Sequence, residues 1–266
     1  MKKCAYCDRS DLKITKEHVV NKSFIDEYYK VGRGYANVYE KYTENYLTAK
    51  DVCSNCNNGI LSQLDQYFLE FYPKNLPTEI INPSKKFKIK YEFGKLSKWL
   101  LKTVYNSERK NPYRQLPQLM YRYKNYILGR EKECKLFKIF VEILSDIPRE
   151  DWKSLPDLPE NFDGKFNFLR IGNIILKEQT SETKDLVKHI TSSNFMFHIF
   201  ILNPGRHSGT AFEKIFKKYA SNLGTCKLFY LDPKKNEITV TSSERDILHN
   251  LKDTFEGNKH FIDSEK

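Results

Sequence analysis

Two cysteine pairs, Cys4/Cys7 and Cys53/Cys56, carry the clearest chemistry in the sequence. Two residues between thiols let both sulfurs turn toward one ion, and two such turns complete a tetrahedral S4 site suited to zinc. Cys134 and Cys226 stand apart from these motifs and are expected as small buried hydrophobes. The stretch from Asp8 to Val52 separates the pairs by 45 residues, whereas an ordinary zinc ribbon has about 15–20 there. That insertion holds Glu17-His18, and His18 is the only histidine before His189. Histidine-dependent chemistry beside the metal therefore has a single candidate. Asn57 and Asn58 follow the second pair directly, with Asp65 a little further on.

A phosphodiester-cleaving centre needs residues of these types. A neutral imidazole, with a reference pKa of about 6.5, can take a proton from water at neutral pH. A hard cation held by oxygen donors can meet the charge that develops on the leaving oxygen. Adjacent residues on a regular strand point to opposite faces. Glu17 and His18 can therefore face one substrate only if a bulge or the strand's end re-aims one of them.

Further along, Leu61, Leu64, Phe68 and Phe71 recur at helical spacing, which predicts a helix over Ile60–Phe71. Pro73, Pro77 and Pro83 then break the pattern, so 73–85 reads as a linker between a first domain, 1–72, and a second, 86–266. Phe87–Phe93 alternates as a strand does. Leu96–Tyr105 reads as a helix with Leu96, Trp99, Leu100 and Val104 facing inward, and Leu136–Leu144 is apolar enough for strand or helix. Strands are expected at Phe166–Leu176, Phe195–Leu202, Cys226–Leu231 and Glu237–Thr241, the last two joined by a turn at Asp232–Asn236. Helices are expected at Gly209–Leu223 and Ser243–Phe255. The fold class is α+β, with an antiparallel sheet in the C-terminal half. The role of 141–266 stays open between a sensor and a docking region.

The order of Cys-x-x-Cys, Glu17-His18 followed by Val19-Val20, and Cys-x-x-Cys-Asn57 resembles the zinc-containing branch of the HNH (ββα-metal) endonucleases. The resemblance covers 1–72, and it implies a zinc-stabilised ββα-metal domain. It implies a structural zinc on Cys4, Cys7, Cys53 and Cys56, with His18 as general base. It also implies one catalytic Mg²⁺ or Mn²⁺ on Glu17 and Asn57. Glu17-His18 would sit on a hairpin strand, and Asn57 would start the crossing helix. Many relatives carry a third polar residue on that helix, for which Asp65, Asn58 and Gln63 stand available here, Asp65 and Asn58 as second-layer supports. The insertion at 21–50, with Lys22, Lys30, Arg33 and Tyr35, exceeds a minimal family core.

The chain has 45 Lys+Arg against 34 Asp+Glu, a net charge of +11. The excess lies in 85–140, which holds 16 basic and 4 acidic residues interleaved with tyrosines. Basic side chains neutralise phosphates and aromatic faces stack on bases. The segment is therefore the expected nucleic-acid contact, through Lys95, Lys98, Lys102, Arg109, Lys110 and Arg114. A solvated helix face, an acidic protein partner or simple solubility are the other readings. An aromatic content of 14% excludes a disordered chain. The longest apolar run, Phe195–Leu202, is too short for a membrane span. Met1-Lys2-Lys3 leads into Cys4 without an apolar leader, so a cytoplasmic protein is expected.

The leading functional expectation is a metal-dependent endonuclease acting on DNA, with RNA as the other polymer. It would act alone, as a homodimer, or in antiviral defence with a partner such as an ATPase subunit. The competing expectation is a non-catalytic zinc module that binds nucleic acid or a protein. His198 is expected as a hydrogen-bonded core residue. The Pro204–Gly209 loop reads as an ordinary connection more than as a phosphate cradle.

Overall fold

The computed structural model describes residues 2–28, 34–36, 41–43, 47–75, 81–109, 120–147, 169–175, 186–202, 209–222 and 227–246. Several sequence readings lie outside the described residues: Lys30, Arg33, Lys110, Arg114, the 204–208 loop, Cys226 and most of 243–255.

In chain order the elements are β1 (Ile14–His18), α1 (Lys22–Tyr28), β2 (Gly34–Ala36), β3 (Lys41–Thr43), β4 (Thr48–Cys53), α2 (Ser54–Cys56) and α3 (Ser62–Asn75). Then come β5 (Lys86–Lys90), α4 (Phe93–Arg109), α5 (Lys124–Ile127), β6 (Phe137–Ile143), β7 (Leu169–Ile175) and β8 (Leu186–Ser192). The last are β9 (Phe195–Ile201), α6 (Gly209–Asn222), β10 (Phe229–Tyr230) and β11 (Glu237–Thr241). The mixture of helices and sheets is α+β, as expected.

Two compact units form. The first combines Met1–Lys74, Lys90–Phe137 and Asp232–Asn236, and the second combines Asn75–Ile89, Lys138–Leu231 and Glu237–Lys266. Most of the basic segment, Lys90–Phe137, falls in the same unit as the cysteine pairs, while Lys85–Ile89 falls in the other. Pro73 lies inside α3, which runs on to Asn75.

In the first unit β1 and β4 pair antiparallel, and the hairpin is closed by the long insertion. A five-residue π-type turn, Asn57–Leu61, links α2 to α3, with Gly59 away from helical values at φ −96 and ψ −114. The chain changes direction there, so α3 does not simply prolong α2. Its inner residues Leu64, Phe68, Phe71 and Tyr72 are buried, close to the face the sequence spacing predicts. Phe68 stacks on Trp99 of α4 with ring centroids 3.4 Å apart and an interplanar angle of 3°. Phe24 of α1 meets Phe68 and Tyr72 edge-on. Leu96, Leu100 and Val104 of α4 are buried as the spacing requires, each contributing about 1.5–3 kcal/mol by leaving water.

In the second unit a five-stranded sheet has the order β10-β6-β9-β8-β7, with β7, β8 and β9 consecutive and antiparallel. The α6 residues Phe212 and Tyr219 pack with Phe140, Val187, Phe200 and Leu202 of the sheet region. His198 is fully buried, as expected, with Nδ1 at 2.6 Å from the Tyr219 hydroxyl and Nε2 at 3.0 Å from Glu142. β8, which the sequence reading passed over, pairs along its whole length with β7 and β9.

The expected hairpin across Asp232–Asn236 is not formed: β10 pairs with β6, and β11 with β5. The turn exists, closed by the Lys235 N–H donating to Asp232 O at 3.1 Å, and Tyr91 binds to it as well. The Tyr91 N–H donates to Asn236 O at 2.7 Å and its hydroxyl to Asp232 O at 3.1 Å. Residues 243–246 are not helical as expected: the Ser243 N–H donates to Ile143 O and Asp246 bridges to Ser145.

Candidate metal centre and active site

The first knuckle is a tight turn. The Asp8 N–H donates to Cys4 O at 3.0 Å, and Asp8 takes the left-handed φ of 62 that lets the chain double back. The second knuckle lies where β4 passes into α2. The ligand atoms of Cys4, Cys7, Cys53 and Cys56 all lie within 4.8 Å of one another. The Cys7 and Cys53 sulfurs are 3.7 Å apart. With metal–sulfur bonds of about 2.3 Å, the edge of an S4 tetrahedron is about 3.8 Å. The four cysteines therefore fit a metal ion such as zinc.

Their electrostatics agree with that fit. Burial pushes Cys7 and Cys56 up. Burial also opposes ionisation of Cys4, but N–H groups of Cys53, Cys7 and Tyr6 outweigh it and bring the thiol down to about 7. Thiols crowded in this way need a cation before all four ionise.

Tyr6, inside the first knuckle, is fully buried and fastens the metal centre to α4. Its hydroxyl donates to Asn106 Oδ1 at 2.7 Å, and its ring meets Tyr105 edge-on. The Tyr105 hydroxyl donates to Ala5 O at 2.9 Å. Arg109 lies over both rings and ion-pairs with Asp51.

Next to this centre Glu17, His18, Asn57 and Asp65 line one polar cleft, walled also by Lys16 and Asn58. Beside the adjacent Glu17 and His18 the β1–β4 pair is bulged. Thr15 pairs with Val52 but Glu17 with Ala49, so β4 carries an extra residue just before the pair. His18 is also the last residue of β1, so both anticipated devices are present. A bulge bends the strand that carries it, here β4, and increases the local twist of the pair.

His18 is half-buried. Burial first, and then the nearby Lys102 ammonium, hold its imidazole below the ordinary histidine range. It is thereby kept neutral at physiological pH. Asn57 is pinned by its amide nitrogen, which donates to Thr15 Oγ1 and to Lys16 O, both at 2.9 Å. That leaves its carbonyl oxygen as the end available to a ligand. An amide carbonyl and the Glu17 carboxylate of the same cleft are both hard oxygen donors.

The largest difference from expectation concerns α4. Lys102 is not on a surface at all: its exposure is 0%. Its ammonium lies 2.7 Å from Glu17 Oε1 and 2.5 Å from Asp65 Oδ2. Trp99 Nε1 donates to Asp65 Oδ1 at 3.1 Å, and Asn106 Nδ2 donates to Glu17 Oε1 at 3.4 Å and to His18 O at 3.2 Å. Residues 99, 102, 106 and 109 fall at helical spacing on one face, which backs the cleft with buried polar groups. Arg109 is turned inward as well, toward Asp51 and Asn106. Both are therefore turned away from the expected phosphate contacts, Lys102 because Glu17 and Asp65 would be unpaired carboxylates in a dry interior, and Arg109 toward the partly exposed Asp51. Two other expected contact residues fall among the described residues: Lys95 is exposed beside Glu92, and Lys98 lies over the Tyr126 ring.

Asp65 has its two oxygens engaged by Trp99 and Lys102. Sequence reasoning missed Asn106 and Trp99 as supports and misplaced Lys102. The available signal was a set of polar residues on the apolar face of a predicted helix, at spacings that leave them no solvent.

Comparison with protein-family models, with curated proteins and with solved structures finds no match, so the site is read on its own geometry. Among the described residues, no helix is long and apolar enough to cross a membrane.

Proposed function

We propose that the chain is a metal-dependent endonuclease that hydrolyses phosphodiester bonds in DNA, with His18 as general base. One observation carries the reading. A half-buried histidine of lowered basicity shares a polar cleft with Glu17 and Asn57, directly beside four clustered cysteines. His18 in its neutral form would accept a proton from water as that water attacks phosphorus. Glu17 and Asn57 would hold a divalent cation, which when bound stabilises the charge developing on the leaving oxygen. The four cysteines, loaded with zinc, would hold the turn that presents Asn57. Lys16, exposed at the cleft, is suited to orient a phosphate.

The test is plasmid cleavage by the purified protein with Mg²⁺, Mn²⁺ or EDTA, beside His18→Ala. Metal-dependent nicking lost in the variant is the expected result. Equal cleavage by both proteins would place the activity elsewhere. One observation favours the second reading, a zinc module that binds nucleic acid without cutting it: Glu17 already spends one oxygen on Lys102. DNA retained by both proteins with no cleavage under any metal would favour that module, or a nuclease that requires a partner such as an ATPase subunit.

A further inference from the structure

Lys102 is a buried cation wedged between two carboxylates at the back of the cleft, and neither a surface contact nor packing explains why it is there. Leucine or methionine at this position of α4 would fill the space without the desolvation of an ammonium. The carboxylates come from different elements, Glu17 from β1 and Asp65 from α3. The ammonium touches one oxygen of each. Asp65 is satisfied on its other oxygen by Trp99. Glu17 Oε1 is held doubly, by Lys102 and by Asn106 one turn further along α4. Glu17 Oε2 is the carboxylate oxygen of this group that neither α4 side chain takes. The three formal charges sum to one negative, where Glu17 and Asp65 alone would present two.

We propose that Lys102 is a positioning residue of the nuclease site. It aims Glu17 and sets the charge with which the cleft meets an exchangeable divalent cation. This rests on the endonuclease reading above. Asp65 acts only through Lys102, sharing the ammonium so that Glu17 is not neutralised by it.

The charge argument distinguishes this role from that of a simple structural ion pair. In Asp65→Asn, Lys102 is left to Glu17 alone, and the cleft loses its net negative charge. Removing a neighbouring charge in a partly dry site weakens divalent-cation binding by about tenfold or more. In the double variant Asp65→Asn with Lys102→Met, one negative and one positive charge are removed together, and the net charge returns to that of the parent. Cation affinity then recovers, but Glu17 is aimed by Asn106 alone, so turnover stays low. The double variant replaces a buried ion pair by neutral groups, a change that folded proteins commonly tolerate.

The experiment is Mn²⁺ binding by electron paramagnetic resonance on the full-length, zinc-loaded protein, with plasmid cleavage measured in parallel. Expected are Mn²⁺ affinity reduced about tenfold in Asp65→Asn and restored to within about threefold of the parent in the double variant, with cleavage at least tenfold down in both. Unchanged Mn²⁺ affinity in Asp65→Asn would overturn the proposal. So would a double variant that binds as weakly as Asp65→Asn, since Asp65 would then be a ligand itself. If these results come while the parent still cleaves in a Mn²⁺- and His18-dependent way, only the role of Lys102 falls. A parent that binds no Mn²⁺ and cuts nothing would remove the endonuclease reading and this inference with it.

Discussion

The ammonium of Lys102 sits 2.7 Å from Glu17 Oε1, with Lys102 wholly buried and Glu17 only 3% exposed. A helix of the basic segment therefore contributes a lysine from its middle to the interior. Burial opposes the charge on Lys102, but Asp65 and Glu17 outweigh it, so the ammonium persists. Burial likewise pushes the Glu17 carboxyl up, while Lys102 pulls it back.

Replacing Lys102 alone by Met should destabilise the protein strongly. It strands Glu17 and Asp65 together without a counter-ion, and breaking a buried pair by removing one partner costs about 3–5 kcal/mol. Urea denaturation checks this, with the midpoint expected to fall sharply. A midpoint unchanged from the parent would show that the pair carries little of the fold.

Cys53→Ser should lower the bound zinc and melt the first unit. Cys53 lies at the end of β4, opposite Ile14, and its N–H reaches Cys4 Sγ at 3.3 Å. Losing one thiolate removes binding energy that is also folding energy. Zinc content by atomic absorption, read beside the melting curve, decides the point: parental values for both would refute the metal centre.

His18 should titrate below a free imidazole in metal-free protein. Its folded value is lowered by burial and by Lys102, so the neutral form persists to more acid pH than about 6.5. The contribution to stability is complete above about pH 6.5 and declines as pH falls toward the folded value. Proton NMR of the ring, assigned with His18→Ala, measures this. A midpoint above the reference value would mean that the imidazole is charged when it is needed as a base.

The second unit should lose stability on acidification for a separate reason. His189 and His198 are buried beside the Tyr219 hydroxyl, and burial lowers both. Unfolded chains take up these protons below about pH 6.5 while the folded chain resists, so acid favours unfolding. Burial opposes the Glu142 charge, but His198 and Arg245 hold its carboxyl below the usual range. That contribution is also lost on the acid side. A melting temperature that falls between pH 7 and pH 5, less steeply in His189→Asn, is the expected result. Equal melting temperatures at the two pH values would contradict it.

Much of the metal centre was legible in the sequence because its geometry is local. Two residues between thiols determine what a knuckle can hold, and no distant contact is needed to see it. The inward faces of α3 and α4 were legible for the same reason, since Phe68, Trp99, Leu100 and Val104 recur at the helical period. Tertiary structure decided the rest. The bulge beside Glu17 and His18 depends on a register shift against β4, across the whole insertion. The separation of β10 from β11 depends on their partners β6 and β5, which lie elsewhere in the chain. Whether Lys102 and Arg109 face water or the interior depended on carboxylates remote in sequence: Glu17 and Asp65, which would be buried unpaired without Lys102, and the partly exposed Asp51 beside Arg109. A lysine's type states its charge; the partners that the fold brings to it decide whether that charge meets solvent or another side chain.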